Sequence, residues 1–167
     1  MKPRVRRTVE DIVTLSERLL QRGLHVRINA GGQSMYPYLR PGDQLEVEPA
    51  KLQDLKPGDI VVFRRNETLI AHRLHRLEGS GEALTGVSIG DSGVWQDEPL
   101  KPEMVPGRVV ARIRNGGHKS LRTPQALRYG RLMVRLYPLP QLAAQFRLRV
   151  GRVFRRAGNL MRWLRVN

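Results

Sequence analysis

The chain contains no cysteine among its 167 residues, which excludes disulfides and thiolate metal sites. That absence suits either side of a membrane, because a fold without disulfides needs no particular redox compartment. Aromatic residues make up only 5% of the chain, so its core must be built mainly from aliphatic side chains. No stretch reaches the roughly eighteen consecutive apolar residues that a spanning helix needs. The basic start, Lys2, Arg4, Arg6 and Arg7, leads into Glu10, Asp11 and Glu17 and not into an apolar leader core. A cytoplasmic protein is expected, bound to a membrane only at its inner surface if at all. Acid is also missing from one third of the chain. All 15 acidic residues lie at or before Glu103, while half of the 30 basic ones follow it, so the net charge of +15 belongs to the C-terminal part. A neutral folded domain with a cationic, partner-seeking tail is the expectation.

What is present divides into three stretches, and the expected class is mainly β (α+β). In residues 1–24 a helix is predicted over 8–22, with Thr8 as cap, Asp11 at the capping-box position and Gly23 as terminator. Val9, Ile12, Val13, Leu19 and Leu20 would form its apolar face. Residues 25–115 read as short strands separated by turns. Pro41-Gly42, Pro57-Gly58 and Pro106-Gly107 each precede a strand, and Asn66-Glu67 joins two strands as a hairpin. Strands at this spacing suit a barrel-like domain. In residues 116–167, Pro138 and Pro140 precede Leu142, Phe146, Val150, Val153, Ala157, Leu160, Met161 and Leu164 at helical spacing. Arginines fill the intervening positions, which describes a basic amphipathic helix.

Two side chains in the β stretch suggest chemistry. Ser34 follows Gly31 and Gly32, where backbone can approach a ligand closely, and Pro37 holds Tyr36 out of helical conformation just beyond it. A serine hydroxyl needs a base to become a nucleophile. His72 lies in a strand pattern between Ile70 and Leu74, facing the same way as both, so its imidazole would be partly buried and neutral. Each alone also reads blandly, Ser34 as a turn residue and His72 as a core histidine. His75 falls on the opposite strand face, as a structural or exposed residue. The splay of the two rings and the absence of a nearby carboxylate argue against a metal, and no cofactor is expected.

The ordered set of motifs is more specific. Ser34-Met35-Tyr36-Pro37 resembles the Ser-Met-x-Pro nucleophile box of signal peptidase I and its LexA-type relatives. Leu39-Arg40-Pro41-Gly42-Asp43 resembles the family's Leu-x-x-Gly-Asp turn. Lys56-Pro57-Gly58-Asp59-Ile60-Val61-Val62-Phe63 resembles its next strand opening, and Val105-Pro106-Gly107-Arg108-Val109 its closing strand. Ile70-Ala71-His72-Arg73 resembles the Ile-Val-His-Arg segment of the archaeal and endoplasmic-reticulum branch, which uses histidine as base where the bacterial enzymes and LexA use lysine. Ile89-Gly90-Asp91 resembles the Lys-Gly-Asp box, although Ser92 and Gly93 replace its asparagines. Asp97 then stands where that branch carries its acidic member.

The resemblance implies a serine endopeptidase with Ser34 as nucleophile, His72 as base and Asp97 as the orienting acid. Asp91, Met35 and Pro37 would support them, although Asp91 before Ser92-Gly93 equally suits a turn. The implied substrate is an extended signal, leader or precursor peptide with small residues before the scissile bond. Arg147, Arg152, Arg155, Arg156, Arg162, Trp163 and Arg165 of the C-terminal segment would bind an anionic membrane surface, with nucleic acid as the weaker alternative. Two rival readings are a LexA-like autoproteolytic or nucleic-acid-binding regulator and a non-catalytic peptide-binding β module.

Overall fold

The computed structural model describes residues 9–93 and 96–137. One helix, α1 (Val9–Gln21), precedes strands β1 (Val26–Asn29), β2 (Gln44–Pro49), β3 (Ile60–Arg65), β4 (Thr68–Glu78), β5 (Thr85–Ile89), β6 (Gly107–Arg114) and β7 (Gly117–Ser120). A second helix, α2 (Pro124–Leu136), follows them. Every pairing is antiparallel, in the order β1-β2-β6-β3-β4-β5, with β3 meeting the first residues of β6 and β7 meeting its last. The mainly β architecture is as expected, but the sheet is open: no pairing joins β1 to β4 or β5. Among the described residues, no helix is long and apolar enough to cross a membrane.

The central strand explains why the domain holds two cores. Ile60-Val61-Val62-Phe63 is a continuous apolar run because both faces of β3 are covered. Ile60 and Val62 join Leu20, Met35, Leu39, Leu45 and Val109 on one side. Val61 and Phe63 join Leu52, Leu55, Leu74, Leu100 and Val105 on the other. Neighbouring β4 splits in the same way, with Leu69 and Ala71 against the first core and Ile70 and Leu74 in the second. The hairpin between β3 and β4 turns at Asn66, whose φ of 54° is a conformation that asparagine tolerates better than most residues.

The apolar face expected of α1 requires correction. The helix buries Val13, Ser16 and Leu20, while Val9 and Ile12 stay exposed. The hydroxyl of Ser16 faces the sheet without penalty because it donates to the Ile12 carbonyl at 2.8 Å. Gly23, with φ of +80°, ends the helix by donating to Leu20, and Leu24 donates to Leu19 in a Schellman closure. After β6, β7 adds to the same sheet by pairing with β6, and α2 buries Ala126 and Gly130 one turn apart. A Cβ on Gly130 would stand 2.5 Å from the Gly58 carbonyl oxygen, so this close approach requires glycine. The cap at Thr8 and the helix expected after Pro140, with its arginines and Trp163, lie outside the described residues.

Candidate active site

Ser34 and His72 arrive from strands that are far apart in the sheet order. Ser34 follows β1, and His72 sits midway along β4, in register with Val61 of β3. Their side chains meet, with Ser34 Oγ 2.9 Å from His72 Nε2. On the other side of the ring, His72 Nδ1 is 2.6 Å from Asp97 Oδ2. Burial opposes charge on Asp97, but hydrogen bonds from His72 and Ser88, with the nearby charges of His72 and Arg65, outweigh it and hold the carboxyl below its ordinary range. An ionised carboxylate can only accept, so the proton between the two sits on Nδ1. In the neutral ring Nε2 then carries a lone pair facing Ser34, the arrangement a general base requires. Phe63 meets the imidazole edge-on, at 6.0 Å between centroids, and closes its buried side.

Each partner is fixed from outside the triad. Beside Ser34, Met35 is buried in the first core, and the Tyr36-Pro37 peptide bond is cis. Ser92 clamps the same turn, its amide donating to the Ser34 carbonyl at 2.9 Å and its hydroxyl contacting the Gln33 and Ser34 carbonyls. Asp97 is placed by a segment that returns along β5. Gly86 and Leu100 exchange backbone hydrogen bonds at 2.8 Å, and Asp97 N–H donates to the Ser88 carbonyl at 2.9 Å.

The two candidate aspartates separate cleanly. Asp91 does not touch His72. It forms a buried, two-pronged ion pair with Arg73, at 2.7 and 2.6 Å, and Arg73 also donates to the Gly58 carbonyl. Both side chains are at most 2% exposed, and the guanidinium lies over the rings of Tyr38 and Tyr129, which stack on each other at 4.6 Å. Asp91 therefore anchors the turn beside the serine. His75, on the other face of β4, is half-buried, and desolvation, with Arg73 adding to it and Asp91 opposing, pushes its pKa down to about 4. Among the described residues no cluster of three or more histidines and carboxylates could hold a metal ion. Arg73 and Ser92 stand within the motifs quoted above, but the sequence assigned neither a role. Arg65 and Ser88 were not singled out at all, although Ser88 is polar within the apolar run Val87-Ser88-Ile89.

A cleft of about 180 Å³ opens at the serine, lined by Ile28–Gly32 and Met35 on one side and by Thr68–Ala71 on the other. Its walls are strand edges. Among the described residues β1 pairs only with β2, and β5 joins β4 only from Arg73 onward, so residues 68–72 pair there on one side alone. A family model described as Peptidase S24-like matches residues 4–88, just over half of the chain. The chain belongs to the Peptidase S24-like family. The matched span of this S24-like domain holds Ser34 and His72 and ends at Ser88, before Asp91 and Asp97. Comparison with curated proteins gives no match to this S24-like chain.

Proposed function

We propose that the protein is a serine endopeptidase of signal peptidase type, acting on a leader or precursor peptide. The observation that carries this reading is the unbroken line Ser34–His72–Asp97, with contacts of 2.9 and 2.6 Å. Ser34 Oγ attacks the scissile carbonyl carbon while its proton passes to His72 Nε2. The negative charge that develops on the substrate oxygen is met by the Ser34 amide. Collapse of this intermediate breaks the C–N bond, and His72 returns the proton to the departing amine. Water, deprotonated by the same nitrogen, then releases the acyl group from Ser34. Asp97 keeps the ring oriented and stabilises the imidazolium formed in each half-reaction.

The two free edges support an extended substrate. By their pairing senses β1 and β4 run in the same direction, each leading toward Ser34 or His72. A peptide laid between them finds strand backbone that no described residue pairs on either side, the strand-addition mode of recognition. Gly31 and Gly32 keep one wall low, since a side chain on either would project into open space. We place the enzyme at an anionic membrane surface through the arginine-rich segment after Pro140. The reading is tested by incubating the full chain with a synthetic leader peptide. Cleavage at one bond, lost in Ser34→Ala, is expected; equal cleavage by that variant would overturn it.

A further inference from the structure

Asp97 receives three donors from three different strands or loops. His72 Nδ1 and Ser88 Oγ both reach Oδ2, each at 2.6 Å, and the Arg65 guanidinium reaches Oδ1 at 3.0 Å. Ser88 is fully buried and Asp97 nearly so, with 8% of its side chain exposed. Arg65 is 40% exposed, its guanidinium lying over Phe63, the ring that backs His72. A lone hydrogen bond from the imidazole would leave the carboxylate free to rotate. Two further donors, approaching different oxygens, fix its plane and so aim the line from Nδ1 through Nε2 at Ser34.

We infer that Ser88 and Arg65 are positioning residues that hold Asp97 for the histidine, and that Arg65 also moderates how strongly Asp97 favours a proton on the ring. This rests on the peptidase reading above. Among the described residues the charged groups facing the pair are Arg65 from β3 and Asp97 itself, since Asp91 on the neighbouring turn is committed to Arg73. The Arg65 charge draws on the carboxylate and opposes a proton on His72. Its loss leaves Asp97 to act on the imidazole alone, so the acid limb of activity moves to higher pH. Loss of the Ser88 hydroxyl removes a neutral donor from the oxygen that His72 uses, which loosens the aim and moves the limb in the same direction.

The test uses Arg65→Gln, Arg65→Lys and Ser88→Ala in the full chain. For Arg65→Gln the acid limb of kcat/KM against leader peptide should rise by roughly half a pH unit at low salt, and Arg65→Lys should restore it, because lysine keeps the charge. Ser88→Ala should lower kcat by about tenfold to 100-fold with KM little changed. The same shift is read without turnover from the histidine ¹⁵N resonances, where the pH at which His72 changes should rise in Arg65→Gln. Wild-type protein that cleaves nothing, yet shows that NMR shift in Arg65→Gln, counts against the peptidase reading and leaves the positioning role standing. An active wild type with unchanged pH limb, resonances and kcat in Arg65→Gln and Ser88→Ala overturns the inference.

Discussion

Gly90 packs directly against Ser34. A methyl group on its α-carbon would stand 2.6 Å from the Ser34 carbonyl oxygen and 2.9 Å from the Ser34 Cβ. Neither atom can yield without moving the hydroxyl that faces His72. Gly90→Ala should therefore shift Ser34 and reduce kcat/KM by about 100-fold, the scale of a displacement near 1 Å. Thermal unfolding should show most of the fold intact. Full activity in this variant would mean that the serine turn is not braced by the loop after β5.

The turn that carries Gly90 is itself tied down through Asp91 and Arg73. Removing one partner of a pair this buried leaves the other charge without compensation, so Asp91→Ala should cost about 3–5 kcal/mol in urea unfolding. Replacing both with apolar residues should recover part of that loss. Recovery stays incomplete because Arg73 also serves the Gly58 carbonyl and the two tyrosine faces.

Asp97 and Asp91 make separable predictions. Asp97→Asn keeps the size of the side chain but lets the ring carry its proton on Nε2, where it blocks the serine. A loss of kcat on the order of 10³- to 10⁴-fold is expected, with stability close to wild type. A loss confined to a few-fold would reduce the site to a Ser34–His72 dyad.

His75 ties stability to pH. An unfolded chain titrates this group near 6.5, whereas the folded protein resists protonation down to about 4. The unfolded state therefore binds the extra proton first, and stability present above pH 6.5 falls as pH drops toward 4. Urea midpoints measured at pH 7 and pH 4.5 should differ in that sense. His75→Gln should narrow the difference; an unchanged gap would assign the acid sensitivity to other groups.

For the C-terminal segment, deletion of 141–167 should abolish co-sedimentation with vesicles rich in phosphatidylglycerol and leave hydrolysis of a soluble peptide intact. Salt should weaken vesicle binding only in part, because apolar burial contributes beside charge. Steep salt dependence, with retention on nucleic acid, would favour a nucleic-acid tail instead. Equal sedimentation of both forms removes the membrane reading.

Much of the fold was legible along the chain because its signals are local. Pro57-Gly58 and Pro106-Gly107 set where β3 and β6 begin, and strand alternation placed His72 on the face of Ile70 and Leu74, where Phe63 meets it. Alternation reports only which side of its own strand a residue occupies. Which partner waits there is a matter of how the sheet curves. Curvature brings β1 beside the unpaired half of β4, so that residues 38 positions apart meet. The resemblance implied Asp97 as the acidic member, and the return of the chain along β5 is what physically brings it to His72 while leaving Asp91 to Arg73. Arg65 and Ser88 join the site through contacts of 32 and nine residues' separation, beyond the reach of any short pattern. Helical spacing likewise marked α1, but the sheet beneath it decided that Ser16 and not Ile12 would be buried, because a serine that bonds its own helix loses little on leaving water.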